Sequence, residues 1–249
     1  MKSLKCFAAA GIAVLFAAGS AQAAIVNPSF ETPGLAGWST VGMAVAADGT
    51  IGVSPTDGTF QALLIAGAGS VSPAVIESAV GLFPGDLASL NSLFGLAAPF
   101  EGSAIYQTFT AAAGDSVTVD LDFLTNELLG GIDVAYALLT DSGGFFAGFA
   151  SFGMSGGAPV PSGFTAHSGY STNGSVTLAA GTYTLSFIAL DGVDDAADAG
   201  MLIDNIVYTP AAPPPPPAVP EPGSMALALV GLAGLGLRRL RQRRQPIAS

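Results

Sequence analysis

The chain has 249 residues, 50% of them hydrophobic, and a formal net charge of −11. Its seven Lys and Arg lie only at the ends: Lys2 and Lys5 in front, Arg238, Arg239, Arg241, Arg243 and Arg244 behind. Of the 18 Asp and Glu only Glu221 belongs to the tail, so the stretch from Ala24 to Val219 holds the other 17, and with no Lys or Arg to neutralise phosphate it is excluded as a nucleic-acid binder.

The first segment, 1–23, reads as a secretory signal peptide. Lys2 and Lys5 form its basic start, Phe7–Gly19 is apolar and small, and Ala21-Gln22-Ala23 is a cleavage site for signal peptidase. Cys6 lies inside it, so the exported body has no cysteine and relies on its core instead of disulfides. Divalent cations would relieve the self-repulsion of such a body.

Residues 24–209 are long enough for one domain with a core of its own. Strand signals dominate. "SVTVDLDF" alternates Val117, Val119, Leu121 and Phe123 with Ser116, Thr118, Asp120 and Asp122, which predicts a half-buried strand with one wet face. "GTYTLSFIAL" alternates likewise, and "FQALLIA", "SAIYQTFT", "IDVAYALL", "FFAGFASF" and "MLIDNIVY" read as further strands. Turn signals separate them at Asp57-Gly58, Ala113-Gly114-Asp115 and Asp141-Ser142-Gly143-Gly144, and Asn173-Gly174 predicts a hairpin turn. "GDLASLNSLFG" predicts the one short helix, with Asp86 as its cap. The expected fold is all-β: an antiparallel β-sandwich, or jelly roll.

A Pro-rich linker at 210–219 follows, and Pro210 to Pro222 favours a polyproline II stalk of roughly 40 Å. Gly223 to Leu237 is uncharged and, as a helix, would span roughly 22 Å against a hydrocarbon core of ~30 Å. With Arg238, Arg239, Arg241, Arg243 and Arg244 as a cytoplasmic stop, a hydrophobic helix at about 223–240 suits transient holding in the inner membrane.

"VPEP", a short Gly/Ala/Leu helix and a terminal Arg cluster together resemble the PEP-CTERM sorting signal, here residues 220–245. Pro220, Glu221 and Pro222 match its signature tripeptide. The resemblance implies recognition by an exosortase, removal of the helix near the tripeptide, and delivery to the cell surface or extracellular matrix of a Gram-negative bacterium that makes exopolysaccharide. "VNPSFETPGLAGWSTVG" and "MLIDNIVYTP" resemble the first and last strands of galactose-binding-like jelly rolls, including carbohydrate-binding modules. That resemblance implies a structural Ca²⁺ held by Glu31 and Asp204, which suits an ion that takes several hard oxygens.

Other chemistry is poorly supported. "DGVDDAADAG" gathers Asp191, Asp194, Asp195 and Asp198 but lacks EF-hand spacing. "GMSGG" fits G-x-S-x-G at Ser155, yet prolines follow it and no acid lies between it and His167, the only histidine. His167 reads as an exposed loop residue, and Asp120 and Asp122 as acids of the wet face rather than a glycosidase pair. No His/Cys cluster suits zinc. For sugar stacking, Trp38 reads as core and Tyr170 as the best platform, whereas Thr182 and Thr184 make no flat array. The expected function is a non-enzymatic, structural or adhesive protein of exopolysaccharide or biofilm. The alternative is a calcium-dependent carbohydrate-binding module.

Overall fold

The alternating stretches become strands of two antiparallel sheets. The computed structural model describes residues 25–32, 34–126, 133–144, 146–152, 161–192, 198–213 and 232. The signal peptide, Ser155, Asp194, Asp195, the Pro220–Glu221–Pro222 motif, the 223–240 helix and the terminal arginines lie outside them. The chain divides into two units, Met1–Ala211 and Ala212–Ser249. Among the described residues no helix is long and apolar enough to cross a membrane.

In chain order the elements are β1 (Ser39–Val41), β2 (Met43–Asp48), β3 (Phe60–Ala66), α1 (Pro73–Val80), α2 (Asp86–Leu93), β4 (Glu101–Ala111), β5 (Ser116–Thr125), β6 (Val134–Asp141), β7 (Phe146–Phe152), β8 (Ala166–His167), β9 (Ser171–Thr177), β10 (Gly181–Asp191) and β11 (Ala199–Thr209). One sheet runs β1-β4-β10-β6-β7 and the other β2-β3-β11-β5-β8, with β9 also paired to β5. β1 and β2 are consecutive, yet each edges a different sheet. The chain changes sheets at Gly42, whose φ of 75° is open to glycine and strained for residues with a side chain.

Period two sorts each strand into an inner and an outer set. Ile105 and Phe109 of β4, Leu121 and Phe123 of β5, Leu185 and Phe187 of β10, and Met201 and Ile203 of β11 fill the space between the sheets. Phe30 and Trp38 close that core from the irregular segment before β1, with ring centroids 5.5 Å apart. The outer sets are apolar too. Val134, Tyr136, Leu138, Ile188 and Leu190 back one sheet and are covered by Ile76 and Val80 of α1 and by Leu87 and Leu90 of α2. Leu63, Leu124 and Leu202 back the other and meet Val53, Phe164 and Tyr170.

Two helices stand where the sequence predicts one. α1 has its signals in place: Pro73 at the first turn after Ser72, and Gly81 at φ 80° behind. α2 begins on Gly85, not on an Asp86 cap, and Asp86 accepts from the Phe83 N–H at 2.9 Å. The helix start is satisfied from α1: the buried Glu77 carboxylate accepts from the N–H groups of Gly85 and Leu87, each at 2.9 Å. Tyr136 donates to Asn91 Oδ1 at 2.8 Å and ties α2 to the sheet. The "VNPSFE" segment is irregular rather than a strand, with Asn27 and Phe30 at positive φ. It still lies beside the last strand, where Ile206 N donates to Pro28 O at 3.1 Å. Asn173-Gly174 makes no hairpin turn. Both residues lie within β9, where the register against β5 shifts between Val117 and Val119 and Gly174 takes φ 78° as a bulge.

Replacing Glu77 by alanine takes the acceptor from the buried Leu87 N–H and from the Gly85 N–H, and is expected to lower unfolding stability by about 2 kcal/mol in chemical denaturation. Burial pushes the Tyr136 phenol up to about 12, and burial together with Asp115 does the same at Tyr208. Both groups hold their protons more tightly folded than unfolded. Their contribution is full below the ordinary phenol value of 10.0 and is lost as pH rises toward 12. Melting temperature should therefore fall across that window, and less steeply in Tyr136→Phe.

Candidate functional site

Asp204 and Glu31 both act on the loop before β3. Asp204 is buried in β11, where the pairing with β5 shifts register after it and Asn205 takes φ 48°. Its Oδ2 accepts from the N–H of Thr56 at 2.7 Å, the N–H of Asp57 at 2.8 Å and the hydroxyl of Thr56 at 3.2 Å. Its Oδ1 accepts from Asn205 N at 2.8 Å. Burial raises its pKa above the ordinary carboxylate value, against the pull of these bonds. Glu31 is exposed, and its Oε1 accepts from Thr59 N at 2.7 Å and Phe60 N at 2.6 Å. The structure thus brings both carboxylates to one loop, where Asp204 through both oxygens and Glu31 through Oε1 accept from main-chain N–H donors. Among the described residues no group of three or more His, Cys, Asp and Glu is gathered in a metal-holding arrangement.

Asp120, Asp122 and His167 do not form a wet face. Asp122 is fully buried and His167 is 7% exposed. Segment 161–172 runs over this end of the sheet, and β8 pairs Leu124 with His167. His167 Nδ1 lies 2.7 Å from Asp122 Oδ2, and Ser168 donates to Asp122 Oδ1 at 3.0 Å. Asp120 accepts from the Thr172 hydroxyl at 2.6 Å and from Asn205 Nδ2 at 2.9 Å. Burial alone would raise the Asp120 pKa; its hydrogen bonds from Thr172, Asn205 and Thr56 outweigh this and hold it below the usual value. The Tyr170 hydroxyl donates to Gln61, and its pKa is driven upward by burial and by the charges of Asp204, Asp122 and Asp120. Tyr170 is therefore half-buried in an acidic network rather than a free stacking platform. The period-two pattern placed these acids together on the outer face; it carried no sign that loops cover that face.

Thr182 and Thr184 have neighbours that the sequence did not reveal. In register, Thr182 faces Thr110 and Thr184 faces both Thr108 and Thr140. Thr108 and Thr184 hydroxyls lie 3.4 Å apart. The result is a small threonine ladder on one sheet face.

An open groove of about 590 Å³ runs along the β1/β2 side of the sandwich. Gly34, Leu35, Trp38 and Thr40 line one wall, Ala44, Val45 and Ala46 of β2 the other, with Phe60 also contributing. Val45 and Phe60 are 41% and 37% exposed, whereas Trp38 is almost wholly buried. Acids stand near the Phe60 end: Glu31 on its N–H, and Asp48 opposite it in the β2–β3 register.

Residues 218–243 carry the PEP-CTERM protein-sorting motif. No curated protein matches the chain. Among solved structures, TmCBM61 in complex with β-1,4-galactotriose is similar at 10% identity and a TM-score of 0.43, over 76% of this chain and 98% of that one. The K2 cleaved adhesin domain of Lys-gingipain is similar at 14% identity and a TM-score of 0.39, over 77% and 99%. The enzymatically active domain of bacteriophage CBA120 tailspike protein 4 gives 14% and 0.36, over 75% of this chain and 21% of that chain. At such scores none of these likenesses bears on what this chain binds.

Asp204→Ala removes the acceptor for the Thr56 and Asp57 N–H groups and is expected to cost about 2–3 kcal/mol, with faster proteolysis in the Ser54–Phe60 loop. Glu31→Ala, at an exposed carboxylate, should cost less than half as much by the same denaturation measurement.

Proposed function

We propose that this chain, exported and carrying a C-terminal sorting signal, is a non-enzymatic protein of the cell surface or extracellular matrix with a structural or adhesive role in exopolysaccharide or biofilm. An exosortase acts near Pro220–Glu221–Pro222, and the helix with Arg238, Arg239, Arg241, Arg243 and Arg244 holds the protein in the inner membrane only until then. The observation that carries this reading is the sorting motif at residues 218–243 joined to a body without Lys or Arg. Supporting it, the carboxylates that an enzyme would need free are engaged in holding the fold: Asp120 by Thr172 and Asn205, Asp122 by His167 and Ser168, Asp204 by the Thr56–Asp57 main chain.

Intact mass spectrometry of the protein from its native host tests the sorting half. The expected product lacks the terminal arginines, and replacing Pro220, Glu221 and Pro222 by alanines retains them. An unprocessed wild-type product would make this a membrane-anchored protein instead. A deletion strain with altered biofilm and a purified body with no saturable glycan affinity would support the matrix role.

The second reading, a calcium-dependent carbohydrate-binding module, is favoured by one feature: Glu31 and Asp204 converge on the loop that leads into Phe60 and the groove. It requires both a saturable preference for one glycan family on an array and a melting temperature that falls on adding EDTA. With the two carboxylates already held by main-chain N–H groups, the first reading expects the melting temperature to stay unchanged.

A further inference from the structure

β2 is an edge strand left open at its middle, where Val45 is 41% exposed. It pairs with β3 alone within its sheet. Edge strands are commonly blunted by lysine, proline or a bulge. "MAVAAD" has none of these, and its pairing with β3 runs without a register shift from Met43 to Asp48. The Met43 N–H points away from β3, since it donates to the Ser103 hydroxyl at 2.8 Å. In an antiparallel ladder alternate residues point the same way, so the N–H and C=O groups of Val45 and Ala47 also point away from β3, those of Val45 in an exposed residue and those of Ala47 in a buried one. The groove lies along this same strand, with Leu35 and Trp38 opposite Ala44, Val45 and Ala46. Main-chain donors and acceptors thus adjoin a shallow apolar channel, which are the two requirements for an added strand.

Charge selects the occupant. Glu31, Asp48 and Asp57 stand around the Phe60 end, with Asp57 accepting from the Ser29 hydroxyl at 2.6 Å. Hydrogen bonds from Thr50, its hydroxyl first and then its N–H, lower the Asp48 pKa and keep it ionised. No Lys or Arg exists in the body to offset these charges. A second copy would bring the same acids to the same edge, and an acidic polysaccharide would meet repulsion alone. A neutral glycan would use the Trp38 and Phe60 surfaces and leave the β2 main chain idle.

We propose that β2 and its groove accept an extended segment of a basic partner protein, added as an antiparallel or parallel strand, with apolar side chains over Trp38 and Val45 and a Lys or Arg near Glu31 and Asp48. This goes beyond the adhesive role and does not depend on it, since glycan contact elsewhere on the molecule can hold while this edge stays unused.

The test is fluorescence anisotropy on the purified full-length chain in detergent, with a labelled short peptide alternating valine and lysine as the probe. Saturable binding is expected, weakened by salt and at least about tenfold weaker in Val45→Lys, which places a charge on the edge. N-methylation of alternate peptide nitrogens, which keeps charge and apolar surface but blocks the ladder, is expected to abolish binding. Asp48→Asn, which removes one charge at the Phe60 end but keeps an acceptor for the Thr50 N–H, should melt as the parent does and bind the lysine peptide more weakly, which keeps the proposal testable if Val45→Lys folds poorly. The proposal is overturned if the lysine peptide does not bind or if a valine–glutamate peptide binds equally well. Equal binding by the N-methylated peptide overturns it too, as does a neutral oligosaccharide that saturates the groove and excludes the peptide.

Discussion

A sandwich without lysine or arginine must stabilise its buried carboxylates with main-chain N–H groups, hydroxyls, amides and its one imidazole. An isolated ion in an apolar interior is too costly to persist, so each such group needs several hydrogen bonds. This constraint organises the molecule. Glu77 finds the open N–H groups at the start of α2. Asp204 finds those of the Thr56–Asp57 loop. Asp120 and Asp122 find hydroxyls, an amide and the only imidazole in the chain. Asp204 ties the Thr56–Asp57 loop to β11, Glu77 ties the start of α2 to α1, and Asp120 and Asp122 tie β9, β11 and β8 to β5. The buried acids therefore work as fasteners between elements, a task that salt bridges share in proteins of ordinary composition.

The same rule holds at the exit from the domain. Asp115, 1% exposed in the turn between β4 and β5, accepts from Ala112 N at 2.5 Å and from Ala211 N at 2.8 Å, and also from the Tyr208 hydroxyl. Leu178 N donates to the Asp115 carbonyl at 2.8 Å. One turn thus grips the end of β11 and the first residues of the Pro-rich linker. β11 pairs with β3 from Ala199 to Ile203 and with β5 as far as Thr209, so its end nearest the tether is held by β5 and by the Asp115 turn. For a domain joined to a C-terminal sorting signal, that is where resistance to pulling and to fraying matters most.

The strands with strict alternation were legible. "FQALLIA" is β3, the runs read in β4, β5, β10 and β11 lie within those strands, and the run read for β6 shares Val134 to Leu139 with it. What alternation cannot convey is the number of layers. It separates two faces of a strand but not a face open to water from one covered by a helix or loop. Hence Asp120 and Asp122 read as wet, and His167 as exposed, although the two acids lie under the 161–172 segment and His167, within it, is turned in against Asp122. α1 was legible in principle, since Ser72-Pro73 and Gly81 frame it, but at eight residues it is too short for periodicity to outweigh the surrounding strand signals. Asn173-Gly174 shows the opposite failure. The dipeptide supplies a positive φ, which a hairpin turn and a bulge use equally well, and only the register against β5 separates the two.

The two long sides of the sandwich are closed differently, and this explains why one of them stays open to partners. On one side β7 and β9 approach each other from the two sheets. On the other, the single crossover at Gly42 joins β1 to β2, and β1 is only three residues long. The core there is sealed by side chains instead: Trp38 against Phe30 and Phe187, with Leu35 packed beside them. A seal made of side chains keeps water from the core without supplying hydrogen bonds to the adjacent edge. The main chain of β2 is left facing outward because the segment before β1 is a set of turns and cannot pair with it. The irregularity of "VNPSFE" and the position of β2 at the edge are thus one structural fact: a regular first strand beside β2 would have paired with it and become the edge in its place.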